Sequence, residues 1–337
     1  MKSLRIIILL LLLILSLTMI SLTADKPFYE GKVIEMIVPH GVGGGFDMYA
    51  RLIQPFLEKY LPGSTVVIVN TTGAGGEIGR NQAFIAKPDG YTICLTAGDD
   101  MVYNSLVENE AVRYDVNEWT YLARISAEAS VLTVPAKSEL NSIEDIKNAN
   151  KTLSFACSGV GDADYFGLGV VAHVFDFDIL PVTGYAGSKE ASMAAIRADV
   201  DLWQASLGST LAVIQNNDVK PIMVLGLNRV PELPDVPTAI ELIKNEEMLK
   251  LMKAICNINE VRRLIVAPPG LSADKTEIFR EAIGKSLNDP DLIAISEQSG
   301  RPIVYLKGEM VGQLIKETME VGKLLKPILD ETLKLAQ

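Results

Sequence analysis

Short apolar stretches alternate with longer amphipathic stretches along most of the chain. Residues 33–38 form the first apolar stretch, and a helical pattern follows at 46–60. The same order returns at 65–69 and 77–86, and a third apolar stretch lies at 91–97 after a Lys-Pro-Asp-Gly turn. Strands that alternate with helices in this way form βαβ units around a parallel-rich sheet. The pattern therefore predicts the α/β class.

The alternation starts again in the middle of the chain. An apolar stretch at 130–135 opens a second series of predicted strands and helices, and a proline-rich connection at 230–237 closes it. One more predicted strand at 263–267 leads into a mainly helical C-terminal region. Because 337 residues exceed what one core normally holds, we expect two lobes. The predicted lobes are 25–125 with 228–337, and 126–227.

The first 24 residues have the pattern of a secretory signal. Lys2 and Arg5 precede an unbroken apolar run at 6–15, and small or polar residues follow as far as Ala24. This order predicts a signal peptide at 1–24. The apolar part is also close to the shortest segment that spans a bilayer, so retention as an N-terminal anchor is the alternative. In either case we expect the rest of the chain outside the cytoplasm, in the periplasm or at the outer face of the cytoplasmic membrane.

Composition argues against several classes of function. The net charge is −11 and no long basic run occurs, so nucleic acid is not an expected partner. The chain has two histidines and no HExxH motif, and it lacks GxSxG around Ser158, so we predict no metal, no cofactor and no catalytic residues. Cys94, Cys157 and Cys256 lie far apart without CxxC spacing. They indicate buried free thiols, with one bridge as the alternative.

Two glycine-rich turns, at 41–45 and 73–76, each stand between a predicted strand and a predicted helix. The start of a helix exposes unpaired N–H groups and the positive end of the helix dipole, and glycine lets a ligand approach the backbone. Consecutive turns of this kind lie side by side at one sheet edge. Phe46 follows Gly45 where a nucleotide motif needs lysine or glycine. The two turns together therefore predict a binding site for an anion other than a nucleotide. The alternative is that they serve packing alone.

The same residues resemble the substrate-binding proteins of tripartite tricarboxylate transporters, the TctC or Bug family. Its opening motif is Pro-aromatic-x-x-Gly-Gly-x-x-Asp between a strand and an Ala-Arg helix, and residues 37–51 fit it with His40 in place of the aromatic residue. The second motif, Gly-Ala-Gly-Gly-x-x-Gly, lies at 73–79. Further motifs of the family follow at 88–92, 185–187, 233–238 and 267–270. Each motif is ordinary alone, but six in the same order are specific.

The resemblance implies a type II periplasmic-binding-protein fold, with two lobes of parallel-rich sheets joined by a hinge of crossing strands. It implies a monomer that binds a small carboxylate, such as a di- or tricarboxylate, an acidic amino acid or an aromatic acid. It also implies delivery to the integral membrane subunits of a tripartite tricarboxylate-type transporter, and no enzyme activity. The alternatives are an extracellular enzyme that acts on a small carboxylate, an envelope sensor with the same fold, and a structural or adhesive envelope protein.

The predicted ligand-binding residues come from both lobes. They are Pro39, His40, Gly43, Gly44, Gly45, Asp47, Gly73, Ala74, Gly75, Gly76, Glu77, Ser158, Gly159, Gly161, Tyr185 and Gly187. Two roles are open for His40: contact with the ligand or a purely structural role. Glu77 is either a charge that stabilises a helix start, a group that repels a second acid, or the partner of a ligand amine. Tyr185 is either an aromatic wall with a hydroxyl donor or half-buried core.

Overall fold

A computed structural model of the chain describes residues 27–336. The segment predicted as a signal peptide or anchor, 1–24, lies outside the described residues. Within residues 27–336, no helix is both long enough and apolar enough to cross a lipid bilayer. The described residues form eleven strands and thirteen α-helices, and the predicted α/β class is confirmed.

The elements follow one another in the alternating order that the sequence predicts. The strands are β1 (Val33–Val38), β2 (Thr65–Asn70), β3 (Thr92–Thr96), β4 (Thr120–Ser126), β5 (Ser130–Pro135), β6 (Leu153–Ala156), β7 (Ile179–Val182), β8 (Leu202–Ser206), β9 (Val219–Leu225), β10 (Arg263–Ala267) and β11 (Leu306–Lys307). The α-helices are α1 (Gly45–Tyr60), α2 (Glu77–Phe84), α3 (Gly98–Leu106), α4 (Ile143–Lys147), α5 (Ala163–Phe175), α6 (Ser188–Arg197), α7 (Leu207–Gln215), α8 (Ala239–Leu242), α9 (Glu246–Ile258), α10 (Ala273–Leu287), α11 (Pro290–Gln298), α12 (Gly308–Gly322) and α13 (Lys326–Leu333). Short 3-10 helices cover Ala74–Gly76, Asn259–Val261, Lys323–Leu325 and Lys334–Ala336.

The strands form two mixed sheets. The first sheet has the order β11-β4-β10-β3-β1-β2, and the second sheet has the order β7-β6-β8-β5-β9. Strand β1 runs parallel to β2 and β3, whereas β10 is antiparallel to β3 and β4. In the second sheet, β6 runs parallel to β7 and β8, and β5 is antiparallel to β8 and β9. The chain passes between the sheets at 127–129 and returns after Leu225. The exact lobe boundaries stay a prediction.

Strand β10 shows how the first sheet is covered on both faces. Ile265 and Ala267 lie in one apolar core, and Leu264 and Val266 lie in another. Successive side chains of a strand point to opposite faces, so both faces of this central strand need a cover. Helices α1 and α10 contribute to the core around Ile265, whereas α3 and α12 contribute to the core around Leu264.

The core around Leu264 continues beneath the second sheet. It includes Leu132 of β5, Phe155 of β6 and Leu168 of α5. Helices α9 and α13 both pack against α5, and α9 also packs against α12. One continuous apolar core therefore joins the two sheets.

The pattern in the sequence did not predict six regular elements: α3, α4, α8, α9, β4 and β11. Helix α3 is buried at every position except Ser105, so it lacks the polar face that gives a helix its period. Strand β4 carries Arg124 among its apolar residues, although the strand is almost entirely buried. The omission of α3 matters because this helix brings Asp99 and Asp100 to the junction of the sheets. All three cysteines are buried, and the described residues form no disulfide.

Candidate functional site

The loops that follow the strands of the first sheet contact those of the second sheet. The Gly41 amide donates to the Ala186 carbonyl at 2.7 Å, so the first glycine turn is bonded across the gap. Near the second glycine turn, Asn104 Nδ2 donates to the Gly161 carbonyl at 2.6 Å. The Ala163 amide donates to Asp100 Oδ1 at 2.7 Å. Helix α3 therefore supplies two side chains that hold the loop after β6.

A central cavity of about 450 Å³, including the part that opens to solvent, lies between these loops. Its lining is dominated by polar side chains. The charged ones are Asp99, Asp100, Asp162, Asp164, Arg262 and Arg263, and the hydroxyls belong to Ser158, Ser188, Ser206 and Ser209. The first glycine turn contributes His40, Gly44 and Gly45.

A second space, the side cavity, measures about 460 Å³ with its open part. It is lined by the second glycine turn at 72–76 and by Pro39 and Tyr185. His40 and Ser158 line both cavities. The two residues therefore separate the central cavity from the side cavity.

The structure brings most of the predicted site residues to these two cavities. Those that line one or both are Pro39, His40, Gly44, Gly45, Gly73, Ala74, Gly75, Gly76, Ser158 and Tyr185. Those outside both linings are Gly43, Asp47, Glu77, Gly159, Gly161 and Gly187. Ligand contact stays a prediction for all of them.

Asp47 holds the first glycine turn through a side-chain hydrogen bond. Its Oδ2 accepts the Gly43 amide at 2.7 Å and Arg51 Nε at 2.9 Å. The Gly44 amide donates to the Gly41 carbonyl at 3.1 Å. The Gly45 amide donates to Ser188 Oγ at 3.2 Å. With Gly41 also bonded across the gap, these four amides already have protein acceptors, so an anion in the central cavity needs donors from elsewhere.

Arg263 supplies such a donor. It begins β10 and its side chain is 1% exposed. Its Nε donates to Glu128 Oε1 at 2.6 Å, and its Nη2 donates to Ser206 Oγ at 2.7 Å. Its Nη1 is buried and has no hydrogen-bond partner within residues 27–336. Since Arg263 is one of the residues that line the central cavity, Nη1 is a charged N–H group that a bound anion could use.

The neighbours of Arg263 keep its guanidinium in place. Its Cζ lies 4.6 Å from the centroid of the Phe46 ring and 4.4 Å from that of Tyr49. A Cβ at Gly45 would lie 3.4 Å from Nη1 and only 2.6 Å from Ser209 Oγ. Glycine at this position therefore keeps the space beside Nη1 open.

Glu128 is the counter-ion of Arg263. Burial alone would raise the pKa of Glu128, but the charge and hydrogen bonds of Arg263 oppose this effect and lower it to about 2. Tyr49 and the Gly208 amide add hydrogen bonds to the carboxylate at 2.7 and 2.9 Å. Both carboxylate oxygens of Glu128 thus accept hydrogen bonds, whereas Nη1 of Arg263 has no acceptor among the described residues.

A second ion pair lies beside the first. Arg262 Nε donates to Asp99 Oδ2 at 2.7 Å, while its Nη2 lies 3.5 Å from Asp164 Oδ1. The longer separation is at the limit of a hydrogen bond. Burial, followed by the charge of Asp162, raises the pKa of Asp164 well above its ordinary value. Of the two carboxylates that contact Arg262, Asp164 is therefore the more weakly compensated one.

Glu77 belongs to a buried network beneath the second glycine turn. Arg80 is fully buried and donates to Glu77 Oε1 at 2.9 Å, to Asp100 Oδ2 at 2.8 Å and to the Gly75 carbonyl at 2.5 Å. Asn104 also donates to Glu77, at 3.0 Å. In this structure the Glu77 carboxylate serves as counter-ion of Arg80.

His40 is 7% exposed and stacks on Phe46 with ring centroids 4.2 Å apart. Its Nε2 lies 3.9 Å from Asp100 Oδ2 and has no hydrogen-bond partner among the described residues. Burial, and then the charge of Arg80, holds the pKa of His40 well below its ordinary value. The imidazole is therefore neutral near pH 7 and can offer a hydrogen bond without a charge.

Sequence reasoning found the two glycine turns but missed the charged side chains between them. A signal for Arg262 and Arg263 exists, because two adjacent arginines at the start of an apolar strand are unusual for a buried position. Glu128 gave no local signal, since it stands between two strands and its partner lies 135 residues further along the chain.

Comparisons with known proteins identify the family and the fold. Residues 49–330 match the family described as the tripartite tricarboxylate transporter family receptor, TctC. A protein encoded in the tcbD-tcbE intergenic region of Pseudomonas sp. (strain P51) is 27% identical over 298 residues, which cover 87% of this chain and 84% of that protein.

Solved structures of periplasmic binding proteins superpose on this chain. The periplasmic binding protein BugD superposes with a TM-score of 0.76 at 25% identity, covering 88% of this chain and 97% of that one. MatC from Rhodopseudomonas palustris, solved with bound malate, has a TM-score of 0.74 at 19% identity, covering 89% and 98%. These likenesses confirm the predicted periplasmic-binding-protein fold.

The buried Arg263–Glu128 pair predicts an acid-sensitive part of the folding free energy. The pKa of Glu128 is about 2 when folded and near 4.3 when unfolded, so its stabilisation is complete above about pH 5 and is lost as the pH falls towards 2. Between pH 6 and 3, the wild type should lose about 2 kcal/mol of unfolding free energy that Glu128→Gln does not lose. Urea unfolding at both pH values measures this difference, with Glu260→Gln as the control for a more exposed carboxylate. Equal losses in wild type and Glu128→Gln would contradict the assignment.

The contact between the two sets of loops predicts a strong effect at Gly75. Its φ is +63°, and a Cβ there would lie 3.1 Å from the Asp162 amide and 3.3 Å from the Val160 carbonyl. Gly75→Val should therefore push the loops apart and increase the radius of gyration in small-angle scattering. Gly270→Val is the matched control, because Gly270 also has a positive φ (+81°) but has no atom within 4 Å of its added Cβ. Equal radii for the two variants would count against the contact.

Proposed function

This chain belongs to the tripartite tricarboxylate transporter receptor family, and from that premise we propose that it is an extracytoplasmic receptor for a small carboxylate. The ligand binds in the central cavity and is delivered to the integral membrane subunits of a transporter of this type. One observation supports the proposal most strongly. Arg263 lines the cavity, and its Nη1 is a buried charged donor that lacks a partner among the described residues.

A bound carboxylate would satisfy this nitrogen. A buried N–H group without an acceptor costs about 1–3 kcal/mol, and more when the group is charged. Hydrogen bonds between a guanidinium and a carboxylate are short and roughly twice as strong as neutral ones. Arg263 is positioned for such a bond before the ligand arrives, because Glu128, Phe46 and Tyr49 fix its guanidinium.

The charge of the whole protein favours a local mechanism of this kind. A net charge of −11 repels an anion at long range. Glu128 also neutralises Arg263, so the cavity does not attract anions through a strong distant field. Affinity must therefore come from donors that act at contact distance, namely Arg263 Nη1, the serine hydroxyls and the neutral imidazole of His40.

The size of the cavity supports a small ligand. Only about 40 Å³ of its interior is open to groups the size of a water molecule, far below the range found for small-molecule pockets, so the cavity accommodates a small ligand at most. In MatC, which shares the fold, the bound molecule is malate. The side cavity beyond His40 and Ser158 offers additional room for ordered water or for a longer chain.

The proposal predicts that Arg263 dominates carboxylate affinity. A thermal-shift screen of mono-, di- and tricarboxylates and amino acids identifies a binding acid, and calorimetric titration then gives its dissociation constant. Arg263→Lys keeps the charge but removes Nη1, and it should weaken binding by about 10-fold or more, since a charged hydrogen bond contributes about 1.5–3 kcal/mol.

Two further variants make this result interpretable. Arg124→Gln is the matched control, because Arg124 lies on the adjacent β4 and pairs with Glu260 at 3.2 Å, away from the cavity. The double variant Glu128→Gln, Arg263→Gln removes both charges, so that survival of the fold does not depend on an unpaired carboxylate. Unchanged affinity in both Arg263 variants would refute the assigned anchor. Recovery of a chemically altered acid after incubation would indicate an enzyme.

The neutral state of His40 predicts a flat pH profile. Because its pKa is well below the ordinary value, His40 carries no charge at pH 6 or above. Affinity for the acid found in the screen should therefore stay constant between pH 6 and 8, in wild type and in His40→Phe alike. The phenylalanine keeps the stacking on Phe46, so the first glycine turn should remain intact. Binding that weakens with rising pH only in the wild type would show that protonated His40 takes part.

A further inference from the structure

A third cavity, the α12 cavity, lies beside β4 of the first sheet. It is lined by the segment that leads into β4, by Arg280 of α10 and by one face of α12. About 350 Å³ of its interior is open to groups the size of a water molecule, against about 40 Å³ in the central cavity. Among the described residues, none that lines the α12 cavity also lines the central cavity or the side cavity. The α12 cavity therefore has room for a ligand of its own.

Trp119 brings a buried donor to this cavity. It is 4% exposed, and its ring packs against those of Phe84 and Tyr114 with centroids 5.0 and 5.8 Å apart. Its Nε1 is buried and has no hydrogen-bond partner within residues 27–336. An indole N–H can only donate, and a buried donor without an acceptor is costly. Since Trp119 is one of the residues that line the α12 cavity, its Nε1 is a donor that a ligand there could use.

Arg280 and Lys316 add positive charge to the same cavity. Arg280 donates through Nε and Nη2 to the Tyr121 carbonyl, at 3.1 and 2.9 Å, and through Nη1 to Glu309 Oε1 at 3.0 Å. These bonds fix the guanidinium, which retains N–H groups without an acceptor in the described part of the chain. Lys316 is exposed and forms neither an ion pair nor a hydrogen bond with any residue between 27 and 336. Its ammonium group is therefore available to a ligand.

The start of α12 adds the positive end of a helix dipole. Gly308 is the first residue of this helix, and the residue before it, Lys307, makes no side-chain cap. A Cβ at Gly308 would lie 2.8 Å from Arg280 Nε, so the helix begins directly beside the guanidinium. The first N–H groups of a helix have no acceptor within the helix and attract anions.

The balance of these groups favours an anion. Glu309 also lines the cavity, but Arg280 pairs with it and its side chain stays 56% exposed to water. Trp119, Arg280 and Lys316 can only donate hydrogen bonds. They stand on three separate elements, so an anion with several oxygens could accept from all of them at once.

We propose that the α12 cavity is a second anion site, which binds a small oxyanion such as phosphate between Trp119 Nε1, Arg280 and Lys316. This inference does not depend on the carboxylate proposed for the central cavity. Because none of the described residues is shared between the two linings, the oxyanion binds whether or not the central cavity is occupied.

The chain has two tryptophans, and their indole N–H signals in NMR spectra of residues 25–337 test the proposal. Trp119→Phe assigns the signals. Inorganic phosphate should shift the Trp119 signal until the site is saturated, whereas Trp203, which is buried in β8 of the second sheet, should not respond. Sodium chloride at the same ionic strength should not reproduce the shift, because it screens charges without bridging the three donors.

Two variants locate the phosphate. Lys316→Glu reverses an exposed charge and should weaken phosphate binding by about 10-fold or more. Lys250→Glu is the matched control, because Lys250 is also exposed but lies on α9, outside the lining of the α12 cavity. Gly312→Leu should abolish the shift by filling the cavity without a charge. Its Cβ would lie 3.6 Å from Tyr121 Cδ2, which is an ordinary contact, so α12 should keep its fold.

Several outcomes would overturn the inference. They are no response of the Trp119 signal to phosphate, an equal response to chloride, equal phosphate affinity in Lys316→Glu and Lys250→Glu, and a response that survives Gly312→Leu. Each of them would leave the proposed function intact, since that function is tested by carboxylate binding to the Arg263 variants.

Discussion

A buried guanidinium must have a carboxylate beside it, and this requirement determines how the two sheets of the protein meet. Arg263 stands at the start of β10 in the first sheet, and Glu128 lies in the segment where the chain crosses to the second sheet. The same carboxylate accepts the Gly208 amide from α7, and the guanidinium bonds Ser206 at the end of β8. Removing two charges from water costs several kcal/mol each, and only close pairing with further hydrogen bonds offsets that cost. The pair therefore fixes the geometry of the crossing and of the loops around it.

The close approach of the loops depends on small residues where the sheets face each other. At Gly45, only the missing side chain leaves room for Ser209 and for the Arg263 guanidinium. At Gly75, the turn has a positive φ and meets the backbone of the loop after β6 within van der Waals distance. These glycines serve the contact between the sheets as well as the openness of the cavities. In this structure the amides of Gly41, Gly43, Gly44 and Gly45 are bonded within the protein, and their part in ligand binding stays a prediction.

The polar groups at the junction are nearly, but not fully, satisfied. The Arg80 network compensates Glu77 and Asp100, and the Arg262 pair compensates Asp99. Within residues 27–336, Arg263 Nη1, His40 Nε2 and Glu77 Oε2 still lack partners, and Asp164 is weakly held by Arg262. An unsatisfied buried donor or acceptor is costly, so a ligand or water that completes such a group would stabilise the protein. Arg263, His40 and Asp164, which line the central cavity, give it polar groups that the glycine turns alone would not supply.

The order of strands and helices follows from the sequence because it depends on local periodicity. Strand β1, the turns around Gly44 and Gly75, and the restart at β5 all carry their signals within a few residues, and the family motifs are equally local. Helix α3 escaped detection because it is buried on nearly all sides and has no polar face. The charged residues of the candidate site could not be predicted, for a different reason. Arg263 and Glu128 are 135 residues apart, and Asp164 and Arg262 are 98 apart, so only the folded chain brings each pair together. Local patterns along the chain are therefore enough to predict the fold class, the family and the two turns. Which charges are paired and which are left for a ligand depends on the folded structure, because burial and distance set the energy of a charge and neither follows from its neighbours along the chain.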